Sequence, residues 1–131
     1  MSRDYVLYLE DILSSVIKIL KYAGDSSLEE LIQDEMRVDA IVRNFEIIGE
    51  AAGHLPQEIK EKYPFVEWRK ISDFRNVLAH EYFGIDYNIM WDVIKNKLPD
   101  LQNNIKTILE MGKKPQSAGD TGSGDPNGAF K

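Results

Sequence analysis

Residues 75–82 read Arg-Asn-Val-Leu-Ala-His-Glu-Tyr. An arginine, an asparagine, a histidine and a tyrosine thus fall within eight positions. Cleaving an RNA phosphodiester needs a base to take the proton of the 2′-hydroxyl and an acid to protonate the leaving 5′-oxygen. It also needs positive charge on the phosphorane-like transition state. Histidine titrates near neutrality and serves as either base or acid. Arginine offers a planar fork that matches phosphate oxygens. An asparagine such as Asn76 orients a base or donates to the scissile phosphate. One histidine per chain does not easily act as both acid and base in one turnover, but two facing each other across a two-fold axis divide the roles. The spacing is therefore compatible with a dimeric nuclease that needs no metal. The same residues also allow a bland reading, in which Arg75 pairs with Asp73 or another carboxylate, His80 caps a helix and Tyr82 rims the core.

Other chemistries find less support. The chain has no cysteine, which removes disulfides, thiolate metal sites and cysteine nucleophiles and fits a reducing compartment. A di-metal helical bundle needs Glu-x-x-His pairs. The positions three before His54 and His80 hold Ala51 and Val77, so no metal is expected. There is no phosphate-cradling glycine loop, Ser-His-Asp context or zinc spacing, and no cofactor is expected. His54 reads as a solvated turn residue. The net charge of −6 argues against a general nucleic-acid binder, and DNA is not an expected partner. Any RNA contact must be local, helped by Lys60, Lys62, Arg69, Lys70 and Arg75, which are interleaved with Glu61, Glu67 and Asp73. No apolar run approaches the roughly 20 residues of a membrane span, and no signal-peptide h-region follows Met1. The expectation is a soluble, cytoplasmic protein.

Helices must position these residues. Tyr5, Leu9, Ile12, Val16, Ile19 and Ala23 repeat at spacings of four and three, which predicts a first helix ended by Gly24. Ser27-Leu28-Glu29-Glu30 is a capping-box pattern. Val38, Ile41, Phe45, Ile48, Ala52 and Leu55 predict a second long helix, starting between Asp34 and Asp39 and stopping at Gly53 or His54. Pro56 opens a short helix over Gln57 to Lys62, which Pro64 ends. A third main helix is expected from Val66 to about His80, so that Asn76 and His80 share a face and His80 lies near a helix C-terminus. Asp86 is the expected N-cap of a fourth helix, which Pro99 kinks or splits. No β-pattern competes. The whole predicts an all-α, up-and-down four-helix bundle with short extra helices over residues 1–111. Residues 112–131, rich in Gly, Ser, Asp and Pro, read as a disordered tail of a composition also found in expression tags.

These segments together resemble the HepT-like family, once a domain of unknown function, within the HEPN superfamily. Asp39 to Ala51 is similar to its second-helix signature. Trp68-Arg69-Lys70-Ile71 followed by Phe74 to Phe83 is similar to its third, and Trp91, Leu98-Pro99 and Leu101 also agree. The resemblance runs from about Asp4 to Glu110. It implies an R-x4-6-H motif at Arg75 and His80 with Asn76 as the polar residue after the arginine. It further implies a metal-independent endoribonuclease acting as a homodimer with the motif near the interface. The extension R-x4-H-x-Y places the family's tyrosine at Tyr82. Such proteins are toxins encoded beside a minimal nucleotidyltransferase antitoxin, which transfers AMP from ATP onto that tyrosine. Arg43, Asn44 and Glu50 belong to the second-helix signature, either touching substrate or the dimer axis or pairing across the bundle, while Gly49 allows close helix packing. Two other readings stay open: a non-catalytic HEPN module that binds nucleotide or presents substrate to a nucleotidyltransferase, and a dimerising helical adaptor.

Overall fold

A computed structural model describes residues 4–80 and 84–113, apart from the side chains of residues 75, 77, 79, 80 and 113. The fold is all-α. Helix α1 spans Asp4–Ala23, α2 Leu28–Gln33, α3 Glu35–His54, α4 Gln57–Lys62, α5 Trp68–Ser72, α6 Phe74–Leu78, α7 Tyr87–Asn96 and α8 Leu98–Lys113. Four arms run up and down: α1, α3, the pair α5–α6 and the pair α7–α8. Two contacts set α1 and α3 antiparallel. Tyr8 near the start of α1 stacks on His54 at the end of α3, and Arg37 near the start of α3 donates to the Tyr22 carbonyl near the end of α1.

Local chemistry sets the ends. Gly24 takes φ +53°, a conformation that terminates α1 cheaply only with glycine. Ser27 and Glu30 form the reciprocal capping box that opens α2. Asp34 caps α3 by accepting from the Arg37 amide, while the Arg37 guanidinium bonds Asp34, Ser26 and the Tyr22 carbonyl. This clasp ties the first two long helices together. The apolar stripes expected on α1 and α3 are buried from Leu9 to Ala23 and from Val38 to Leu55. The fourth arm divides at Lys97, so that Pro99 falls in the first turn of α8, where its missing N–H costs nothing.

The third arm departs from expectation. It is not one helix from Val66 to His80 but two helices of five residues, parted at Asp73 and ending at Leu78. The Ser72 hydroxyl donates back to the carbonyls of Trp68 and Arg69, and the Asp73 amide turns to Lys70. Such local bonds compete with continued α-helix. Past Leu78 the chain forms a two-residue antiparallel ladder, β1 Ala79–His80 against β2 Gly84–Ile85, with His80 opposite Gly84. The Asp86 amide closes this unit on the Leu78 carbonyl at 2.8 Å. Gly84 sits at φ +92°, so the turn back needs glycine there. Helix α8 runs through Lys113, just past the expected domain end at 111; the expected tail from 114 onward lies outside the described residues.

Candidate active site

The motif is carried by α6 and β1. Phe74 and Leu78, one helical turn apart, are both buried. The Phe74 ring meets Phe45 of α3 edge-on, with centroids 5.4 Å apart and an interplanar angle of 85°. These two anchors fix the rotation of α6 and hence the backbone at Arg75 and Asn76. On the other flank, Gly49 lets α3 approach the end of α5, because a Cβ built there would stand 3.2 Å from the Ser72 carbonyl oxygen. The close-packing role expected of Gly49 is what the backbone shows.

The segment before the motif is equally held. The Trp68 indole N–H donates to the Tyr63 carbonyl at 2.9 Å, both residues being buried. Residues 63–67 thus form a fixed turn that delivers α5 at a set angle. At the Asp73 break, the exposed Asn76 side chain donates to the Asp73 carboxylate at 2.6 Å. Asn76 is thereby oriented from the residue that parts the two helices.

The expected residues are therefore distributed as follows. Arg75 lies in the first turn of α6, and His80 lies on β1, two residues beyond the last residue of that helix. Asn76 and His80 do not share a helical face, and His80 does not sit in a helical last turn where a dipole would act on it. Tyr82 lies outside the described residues. The ladder, rather than a helix, sets where the His80 backbone stands relative to α6.

The remaining candidates sort by what they touch. His54 is exposed and stacks on Tyr8 at 5.4 Å. It stands nine residues along α3 from Phe45, about 13 Å by helical rise, and takes no place beside the motif. Arg43 pairs with Glu46 one turn away on α3 at 3.4 Å, not across the bundle. Glu50 is exposed. Asn44 is 7% exposed; its amide donates to the Ala40 carbonyl at 2.8 Å, and its Oδ1 has no partner. Lys70 pairs with Glu67 at 3.2 Å, and Lys62 lies 5.6 Å over the Tyr63 ring. Among the described residues no three His, Cys, Asp or Glu gather as a metal site, and no helix is long and apolar enough to cross a membrane.

Sequence reasoning did not single out Arg37 as the clasp of the first two helices, or Phe65. Phe65 is a lone aromatic between Pro64 and Val66, and half of it remains exposed beside α5. The signal for Arg37 was its place three residues after Asp34, the spacing of a cap and an ion pair.

Comparison with known proteins follows the same span. The model of a family described as Ribonuclease HepT-like matches residues 12–108, which include the whole of 75–82. A Methanocaldococcus jannaschii protein, whose name marks it as an unproven RNase, is 39% identical over 85% of this chain and 89% of its own length. A Caldanaerobacter subterraneus protein of like designation is 40% identical over 81% and 95%. A Thermococcus cleftensis protein named a probable ribonuclease HepT is 32% identical over 82% and 98%. No solved structure matches.

Proposed function

The chain belongs to the HepT-like ribonuclease family, and from that premise we propose that it is the toxin of a toxin–antitoxin pair, a metal-independent endoribonuclease. The observation that carries the reading is the family match, whose span of residues 12–108 includes Arg75, Asn76, His80 and Tyr82. The names of the relatives support the same class of activity.

In this reading the 2′-hydroxyl oxygen of RNA attacks the adjacent phosphorus and the bond from phosphorus to the 5′-oxygen breaks. His80 of one copy accepts the 2′-hydroxyl proton, and His80 of a second copy protonates the departing 5′-oxygen. Arg75 holds two phosphate oxygens and answers the charge that builds in the transition state. Asn76, oriented by Asp73, donates to the scissile phosphate. The working unit is a homodimer, because each copy supplies one histidine to the motif.

Tyr82 is the point of control. Its phenolic oxygen attacks the α-phosphorus of ATP, bound by a cognate minimal nucleotidyltransferase. The phenolic proton is lost, pyrophosphate departs, and an AMP ester remains. That ester sets a phosphate two residues from His80, where it occupies the place of the RNA phosphate and repels incoming strands.

Expression in cells tests the reading. Alone, the chain arrests growth, and Arg75→Ala or His80→Ala relieves the arrest without changing the circular dichroism spectrum. Co-expressed with its nucleotidyltransferase, the protein gains one or more AMP masses at Tyr82, and growth resumes. Growth arrest by the His80→Ala chain, or relief with Tyr82 unmodified, contradicts it.

A further inference from the structure

A groove of about 620 Å³ opens between α5–α6 on one side and α7–α8 on the other. Its floor includes Ile71, Phe74 and Val93, all buried. Phe74 immediately precedes Arg75, so the floor and the motif share one short helix. At the mouth stands Phe65, 51% exposed. The Phe65 ring meets Tyr63 nearly perpendicular, at 6.2 Å and 82°, and the turn that carries it is held by the Trp68 indole bond. An aromatic ring is thus kept half open to solvent on a fixed mount.

The polar lining is mixed, with three carboxylates, Glu67, Asp92 and Asp100, beside two lysines, Lys70 and Lys97. Glu67 is tied to Lys70 at 3.2 Å, and one oxygen of Asp92 accepts from the Asn96 amide at 2.6 Å. Asp100 makes no side-chain hydrogen bond or ion pair among the described residues. A carboxylate left without a partner accepts from an amine, as carboxylates accept from the exocyclic amine of cytosine. The volume lies within the range of small-ligand pockets, which pair apolar walls with a few polar groups.

We propose that this groove receives one unstacked nucleobase of the RNA strand, stacked on Phe65 with its exocyclic amine donated to Asp100, next to the phosphate held at the motif. The proposal rests on the nuclease reading for the identity of the strand. It assigns the enzyme a preference that the motif alone lacks. Adenine, cytosine and guanine carry an exocyclic amine on the base edge, and uracil carries none.

The test uses the full chain and 5′-labelled hexamers of 2′-O-methyl A, C or U, which cannot be cleaved because the attacking oxygen is capped. Fluorescence anisotropy reads the binding. A and C hexamers bind about tenfold tighter than U, the size of one good base-edge contact. Phe65→Ala weakens A and C about tenfold by removing the stacking face. Asp100→Asn brings A, C and U to the same affinity. Ile89→Trp, a change at an exposed rim position, fills the mouth and reproduces the loss while sparing the turn at Phe65. Equal binding of all three hexamers by the wild type, no binding, or variants indistinguishable from wild type overturns the proposal. Free AMP binding as tightly as the A hexamer overturns the assignment to a strand. Digestion of total RNA keeps the two claims apart. Cleavage without base preference removes the groove alone, whereas base preference without cleavage supports the groove and counts against the nuclease.

Discussion

Along α1 and α3, Leu9, Ile12, Val16 and Ile19 face Ile41, Phe45, Ile48 and Ala52 in a seam where every one of these side chains is buried. Each helix is 20 residues long. The segment that carries the motif has no such length. Its helices have five residues each, its ladder two per strand, and it is held by a few separate anchors: the Phe74–Phe45 contact, the Trp68 indole bond and the approach at Gly49. The contrast has a physical logic. A long periodic seam spreads its stabilisation over many contacts and tolerates local change. A catalytic segment needs irregular backbone to aim side chains, so it borrows rigidity from the seam at a small number of points.

Phe45→Ala makes the most severe test, because Phe45 serves both regions. It costs about 3–5 kcal/mol, the usual range for a buried phenylalanine, read as a fall in Tm. Cleavage falls further than the folded fraction, since Phe74 loses its partner. A fall that only tracks the folded fraction shows that α6 is held by other means.

Gly49→Val comes next. A Cβ there already meets the Ser72 carbonyl at 3.2 Å, so the added methyls push α5 off α3 at about 1–3 kcal/mol. The expected signature is activity lost out of proportion to stability. Trp68→Phe keeps an aromatic in the core but removes one of two bonds to the Tyr63 carbonyl, which still accepts from the Val66 amide at 3.3 Å, at roughly 0.5–1.5 kcal/mol. Hydrogen exchange at residues 63–67 rises while that of α1 stays unchanged. Unchanged protection at 63–67 means the indole bond does not hold the turn.

Ser27→Ala is the smallest change and the control. It removes the capping box of α2 for about 1 kcal/mol and leaves cleavage per folded molecule as it was. Altered activity per folded molecule would tie the motif to the frame more closely than the anchors allow.

These two regions also differ in how far the chain announces them. The stripes from Tyr5 to Ala23 and from Val38 to Leu55 emerge where periodicity places them, and Gly24, Ser27, Asp34 and Asp86 end or cap helices as their chemistry dictates. The break at Asp73 does not follow from periodicity. Trp68, Ile71, Phe74 and Leu78 keep a helical spacing straight through it, and only the back-bonding of Ser72 and the tight turn at Asp73 interrupt the helix. The ladder at Ala79–His80 is too short to leave an alternating pattern; Gly84 was its one mark. The motif itself was legible as residue types. Its mounting on a strand was not, because it depends on bonds between residues 78 and 86 that no local spacing encodes.

One experiment bears on the central claim most directly. Purified chain free of AMP is incubated with total RNA in the presence of EDTA, beside the His80→Ala variant at equal folded concentration. The account predicts discrete cleavage by the wild type and a rate at least about a hundredfold lower for the variant, the range for loss of a general acid–base group. No cleavage by the unmodified chain, cleavage that EDTA abolishes, or equal cleavage by both proteins contradicts it.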